Sequence, residues 1–352
     1  MPKFSPTKLH QIGTDLLIAS GVTPDDTKCV VDHLVDSNLF GHDSHGVIRY
    51  PEYVKAIQIG RFQARGAIEI VKETPCTAVV DNGGALGQVG GTFAIQLAIK
   101  KAKQYGTATV SLRNTSHVGR VGAYPLMAAR EGLIGFGCVN AGRMGHQIAP
   151  FGGIDGRLST NPVVFAAPRR DADPIMVDMT TSVVAEGKVR VARNAGKQVP
   201  TGWLIDGEGN PSTDPMVMYT QPRGAILPLG GVVAHKGFAL GLMVEILAGT
   251  LSQQGCASGL KSMASNGVMF TVYNPDFFVE RDWYYNEVET MLQHVRSSRP
   301  APGFSEILIP GEPEFRLARK RRAEGIDIDD ITWKEIQEAA VSVNLDPNRW
   351  AD

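Results

Sequence analysis

The chain has 352 residues, 43% hydrophobic and 20% charged, with a formal net charge of −1, so it can bury a sizeable core as one large or two medium domains without a disulfide or structural metal. Lys and Arg are scattered, with no block suited to nucleic acid or a membrane surface, and no apolar run nears the roughly 20 residues that span a bilayer. The four cysteines, Cys29, Cys76, Cys138 and Cys256, form no C-x-x-C pair, and no apolar signal core opens the sequence, so reduced thiols and a cytoplasmic location are expected.

In chain order, Leu9, Ile12, Leu16 and Leu17 fall at helical spacing within Pro6 to Ser20, and Gly21 can end that helix. Thr23-Pro24-Asp25-Asp26 reads as a cap, a first-turn proline and first-turn acids, and it starts a second helix. A third helix is expected over Val47 to Ile59. Near residue 67 the character changes. Ala67 to Val71 and Thr77 to Asp81 read as strands, Gly87 to Gln104 as a helix, and Thr107 to Leu112 as a buried strand. A helix over Tyr124 to Arg130 and a strand over Leu133 to Val139 follow. The stretch from Ala141 to Pro174 reads as loop-rich. Pro174 to Asp178 and residues 267 to 273 read as strands, and Gly237 to Leu251 as a helix apolar nearly all round and therefore buried. Helices return after residue 282, with a start signal at Thr332-Trp333-Lys334-Glu335. The basic run Arg316, Arg319, Lys320, Arg321, Arg322 reads as a solvated helix face. The alternation of strand and helix implies a layered α/β core over 67–281. The helical ends, 1–66 and 282–352, are expected to pack as one discontinuous module.

Among the eight histidines, His10, His33 and His294 sit in expected helices and read as surface or structural residues. His42 and His45 lie in Gly-His-Asp-Ser-His-Gly-Val-Ile-Arg. That run suits either a metal pair with Asp43 or an anion site built on Ser44 and Arg49; zinc sites use three or more protein ligands, which favours the anion site. His117 follows a buried strand, where ligands gather in α/β sheets, and Gly119, Arg120 and Gly122 adjoin it. His235-Lys236-Gly237 joins a Gly-rich loop to a helix start, as phosphate or ribose binding requires. No strand-turn-helix carries G-x-G-x-x-G, so the residues alone leave a dinucleotide cofactor open.

Nine motifs in order are similar to the malate/L-lactate dehydrogenase-like family over about residues 5 to 345. They include Gly-His-Asp-Ser-His-Gly, Asn-Thr-Ser-His-Val-Gly-Arg, Ser-Thr-Asn-Pro, Val-Asp-Met-Thr-Thr-Ser, Leu-Pro-Leu-Gly-Gly, His-Lys-Gly-Phe-Ala-Leu and Ile-Pro-Gly-Glu. The resemblance implies an α/β (α+β) fold whose mixed-sheet core binds a nicotinamide cofactor in a non-Rossmann manner, and a homodimer. It implies cofactor contacts, to NAD or NADP, at His45, Gly119, Arg120, Val121, Met176, Val177, Asp178, Met179, Thr180, His235, Lys236, Asn266, Gly311, Glu312, Pro313 and Glu314. It also implies catalytic roles for His117, as general acid/base, for His45 and for Arg49, the last at the substrate carboxylate, with Ser44, Tyr53, Thr160 and Asn161 around the substrate. No metal is implied.

On that reading a small 2-hydroxy acid and its 2-oxo acid are interconverted. Arg49 grips the carboxylate with two N–H groups, and His117, titrating near neutral pH, moves the proton. A cyclic imino-acid reductase would share the clamp and the cofactor. A metal-dependent hydrolase on His42, His45 and His117, or a non-catalytic dinucleotide-binding protein, are the readings from other classes.

Overall fold

A computed structural model describes residues 2–143, 146–260 and 266–350. The chain opens with β1 (Lys3–Phe4), α1 (Pro6–Ala19) and α2 (Pro24–Leu39). Two 3₁₀ turns, Asp43–His45 and Val47–Arg49, lead into α3 (Tyr50–Gln58). The central region runs β2 (Glu69–Glu73), β3 (Thr77–Asp81), α4 (Gly87–Tyr105), β4 (Thr107–Thr115), α5 (Ala123–Arg130), β5 (Ile134–Asn140), β6 (Val163–Ala167) and β7 (Ile175–Met179). Next come α6 (Glu186–Asn194), the short strands β8 (Leu204–Ile205), β9 (Pro211–Ser212) and β10 (Ala225–Ile226), and α7 (His235–Val244), which continues as a π-helix over Glu245–Thr250. The chain closes with β11 (Asn266–Tyr273), α8 (Arg281–Arg296), α9 (Glu312–Glu324), β12 (Ile326–Asp327) and α10 (Asp330–Ser342).

The caps explain the helix starts. Side-chain oxygens of Ser5, Thr23 and Asp329 accept the N–H groups of Lys8, Asp26 and Thr332, each satisfying a donor the helix cannot. Thr332, expected as a start, therefore lies inside α10, because Asp329 takes both its N–H and its hydroxyl.

Seven strands form one mixed sheet in the order β2-β3-β4-β11-β5-β6-β7. Only β3 and β4 run parallel; every other neighbouring pair in it is antiparallel. β11 inserts between β4 and β5, pairing Asn266 with Thr115 and Gly267 with Asn140. That register brings the ends of three strands together next to His117. Helices α4 and α5 cover the sheet with Ala94, Ile95, Ala98 and Tyr124 against Val110, Leu112 and Phe270.

A second core joins both ends of the chain. Leu9, Leu16, Val31, Leu34, Tyr50 and Tyr53 from α1–α3 pack with Phe315, Ala318, Ile336 and Ala340 from α9 and α10, and β1 pairs antiparallel with β12.

Two elements were not singled out from the sequence: β6, whose run Val-Val-Phe-Ala-Ala is short and flanked by prolines within the loop-rich stretch 141–174, and α6. One expectation is corrected: α7 is not buried all round, since Leu242 and Ile246 are 43% and 59% exposed and, with Ala239 and His235, form one outward stripe at helical spacing.

Gly13 shows how closely α1 and α3 approach. A Cβ there would lie 2.3 Å from the ring and hydroxyl of Tyr50, which is fully buried and donates to the Leu9 carbonyl. Gly13→Ala gains up to about 1 kcal/mol of helix propensity but overpacks this contact by about 1–3 kcal/mol. The expected net is a loss of about 1–2 kcal/mol, read from urea unfolding; an unchanged or higher midpoint would show that α1 can move aside.

Candidate active site

The loop after β4 is threaded between two helices. The Ser116 hydroxyl accepts the Gly87 N–H at 2.8 Å, and a Cβ on Gly87 would meet the His117 carbonyl at 2.4 Å. Gly119 has φ +76°, and a Cβ there would lie 2.4 Å from His33 Nε2, so only glycine allows both the turn and the approach. His33 Nε2 accepts the Arg120 N–H at 2.9 Å. Its burial, with the Arg120 charge adding to it, pushes the imidazole pKa down to about 3. His33 is thus a satisfied core histidine, as its helical setting suggested.

His117 is held from both sides. Tyr53 Oη lies 2.8 Å from Nδ1, and His45 Nδ1 lies 3.2 Å from Nε2. The two imidazole planes are nearly parallel, with a centroid distance of 5.1 Å and an interplanar angle of 13°. Behind Tyr53, Gln88 Nε2 donates to its hydroxyl at 2.8 Å. Burial, then the Arg49 charge, drives His117 well below the ordinary histidine value. The same two causes, followed by weaker cations, bring His45 down to about 3. Both rings are therefore neutral at pH 7, although each keeps a partly exposed edge.

A cleft of about 770 Å³ runs past this pair. Its walls include His42, Ser44, His45, Gly119, Arg120, Val121, Thr160, Asp178, Met179, Thr180, Pro313 and Glu314. The structure thus brings together about half of the residues expected around a cofactor and substrate, from five separate stretches of chain. His117 is not itself part of that wall; His45 stands between it and the cleft.

Other expected residues lie elsewhere. Tyr53 is fully buried with its hydroxyl on His117 and Gln88, so it positions His117. Asn161 is also fully buried. Its amide donates to Glu245 Oε1 and the Gly241 carbonyl, and its oxygen takes the Ser159 hydroxyl, so it braces the wall. Arg49 donates from Nε to the Ser44 carbonyl and from Nη1 to Glu52. The expected two-pronged grip is therefore reduced to Nη2 and what Nη1 can share. The Arg120 guanidinium is buried on Asp36 at 2.9 Å, over the Phe40 ring and beside Met176 Sδ, so it anchors the loop. Met176 is buried, Val177 is half-buried beside it in β7, and the backbone of Gly311 packs on Met176. Glu312 pairs with Arg296. His235 and Lys236 are exposed at the start of α7 and do not line the cleft, nor does Asn266. Asn266 braces the site from behind, accepting the Val118 N–H and donating to the Asn140 carbonyl.

A nicotinamide dinucleotide fits the donor set. Arg120 Nε and Glu314 Oε2 are buried without hydrogen-bond partners, and both residues line the cleft. Such orphaned polar atoms mark a place where ligand hydroxyls or phosphates would repay the desolvation. Among the described residues, no three His, Cys, Asp or Glu side chains gather as a metal site, and no helix is long and apolar enough to cross a membrane. Sequence reasoning missed Gln88, the α6 residues Gly187, Lys188 and Val191 in the cleft wall, and Arg190, which has no ion-pair partner among the described residues and whose charge reaches His45. Gln88 lies inside the helix expected over Gly87 to Gln104, where nothing local marks one amide among the others.

The profile of a family described as malate/L-lactate dehydrogenase matches residues 4–337. A malate dehydrogenase of Pyrococcus horikoshii is 39% identical over 94% of this chain and 92% of its own. Hydroxycarboxylate dehydrogenase B of Escherichia coli O157:H7 is 36% identical over 97% and 95%, and an L-lactate dehydrogenase of Cupriavidus necator 35% over 97% and 98%. Among solved structures, the sulfolactate dehydrogenase of Methanocaldococcus jannaschii superposes with a TM-score of 0.88 at 34% identity over the whole of both chains. The Δ1-piperideine-2-carboxylate reductase of Pseudomonas syringae gives 0.84 at 25% identity over 97% and 100%.

Folded His33 stays neutral down to about pH 3, whereas an unfolded imidazole takes its proton near 6.5. Between those values the unfolded chain binds the extra proton, so stability falls as the pH drops from about 6.5 towards 3, by up to about 1.4 kcal/mol per pH unit for this one group. His33→Gln keeps an acceptor for the Arg120 N–H and removes the titration. Its urea-unfolding free energy should decline less steeply than the wild type's between pH 6.5 and 5; identical slopes would mean that His33 is not held neutral.

Proposed function

The chain belongs to the malate/L-lactate dehydrogenase family, and from that premise we propose that it interconverts a small 2-hydroxy acid and its 2-oxo acid with NAD or NADP. The observation that carries this reading is the Tyr53–His117–His45 chain, buried at one end and ending in the cleft at the other. When bound, the nicotinamide supplies or takes up the hydride; the protein must supply binding, orientation and a proton. His45, Gly119, Val121, Asp178, Thr180 and Glu314 would hold it, and Ser44, Thr160 and the free side of Arg49 would receive the acid.

His117 and His45 act as one acid/base unit, with His117 as the proton store and His45 as its face on the cleft. Arg49 has two effects. Its charge attracts the substrate carboxylate, and in the free protein it also depresses both imidazoles. A carboxylate seated beside Arg49 offsets that charge, so binding the acid raises the basicity of the pair at the moment a proton has to move.

A homodimer in the cytoplasm completes the proposal. The outward stripe on α7, with Val232 98% exposed just before it, is the kind of apolar surface that a second copy covers. The fold shared with the piperideine-carboxylate reductase supports one other substrate class, a cyclic imino acid carrying the same carboxylate. Assaying 2-oxo acids and a cyclic imino acid side by side, with NADH and NADPH, decides between them. Turnover of neither class would overturn the proposal.

Three outcomes are expected in kinetics. His117→Ala lowers kcat by roughly 100-fold or more while nicotinamide binding, followed by fluorescence, survives. Adding His45→Ala to that variant costs little further, because two members of one unit are not additive; a full multiplicative loss would separate them. For oxidation of the hydroxy acid, which needs the neutral pair, the acid limb of kcat/KM falls below pH 6.5. Arg49→Leu moves that limb upward and raises KM for the acid. A limb that ignores Arg49 would show that its charge does not reach the pair.

A further inference from the structure

We infer that Gln88 is a positioning residue that fixes which nitrogen of His117 carries the proton, and so sets the direction of the hydrogen-bond chain that ends in the cleft. The inference rests on the proposed reaction only for its catalytic meaning; the geometry stands without it.

Gln88 is fully buried in the first turn of α4. Its Nε2 donates to Tyr53 Oη at 2.8 Å, while its Oε1 has no partner. An amide N–H cannot accept, so the phenol must direct its own proton elsewhere. Two acceptors are near. His117 Nδ1 lies at 2.8 Å and the His117 carbonyl at 3.5 Å. The shorter contact is a full hydrogen bond and the longer is at the edge of one, so the phenol proton goes to Nδ1. Neutral His117 then carries its proton on Nε2 and donates it to His45 Nδ1 at 3.2 Å. Neutral His45 in turn carries its proton on Nε2, which has no partner among the described residues and belongs to a ring in the cleft wall.

One amide, three groups back from the cleft, thus presents an N–H to it, as a 2-oxo acid's carbonyl oxygen requires. Taking a proton from a hydroxy acid requires the phenol and both rings to reverse their polarity together, against the fixed amide. Turning the amide over would give Oε1 the phenol proton, and it would swap the sense of every bond beyond it.

The test is nitrogen NMR of the intact protein labelled at histidine with ¹⁵N, at pH 7.5 without substrate, with His117 assigned by its loss in His117→Gln. Wild type should show Nδ1 unprotonated and Nε2 protonated. Gln88→Leu removes the donor and should yield a mixture of the two tautomers, and Gln88→Glu, an acceptor, should favour the proton on Nδ1. The opposite tautomer in wild type, or one unmoved by either Gln88 variant, would overturn the inference. If neither variant folds, Tyr53→Phe serves, since it cuts the same link and should also release the tautomer. Because no turnover is read, an enzyme that reduces no 2-oxo acid yet shows this pattern would sink the proposed function and leave the role of Gln88 intact.

Discussion

The hydrogen bond between Tyr53 and His117 joins the two cores of the molecule. Tyr53 comes from α3, whose apolar face is packed into the core made by both ends of the chain. His117 comes from the loop after β4, at the centre of the sheet. The sheet supplies the ring, and the helical segment supplies the partners of both its nitrogens, Tyr53 and His45. The contact works because the loop cannot drift. Gly87 lets α4 press on the His117 carbonyl, Gly119 lets the chain turn against His33, and Asn266 pins the Val118 N–H from β11.

Around that contact two of the cations near the imidazoles are themselves held. Arg120 is neutralised by Asp36 and buried against Phe40 and Met176. Removing one partner of such a pair strands a buried charge, at a cost of about 3–5 kcal/mol, so this pair keeps the cleft wall in shape while Arg120 Nε stays unengaged. Arg49 is paired with Glu52 but retains unengaged donors, which suits it to respond to an incoming carboxylate. Further back, Glu245 takes N–H groups from Asn140, Asn161 and Ala257. It thereby ties the exposed helix to the strand ends beneath the site.

Much of this could be read from the residues. Thr23 marked its helix because a capping side chain is a local event, and the short apolar run over β4 placed His117 at a strand end. The motif order led to the family, and so to the cleft-lining stretches around His45, Gly119, Asp178 and Glu314. What stayed hidden was set by distant partners. The insertion of β11 between β4 and β5 joins residues as far apart in sequence as Tyr273 and Thr107, and no nearer than Gly267 and Asn140, which no local periodicity records. Tyr53 and Asn161 look like ligand contacts in a motif, yet their polar atoms are taken up by His117, Gln88 and Glu245. The α7 stripe is apolar in sequence whether protein or solvent covers it, so composition could not tell that it faces outward.

The account stands on the imidazole pair meeting the reacting oxygen. A crystal structure with a nicotinamide dinucleotide and an unreactive 2-oxo acid analogue such as oxamate would test it most directly. The predicted result is the analogue's carbonyl oxygen within about 2.6–3.2 Å of a nitrogen of His45 or His117, with its carboxylate beside Arg49. An analogue bound elsewhere in the cleft, with both imidazoles still facing only each other and Tyr53, would contradict it.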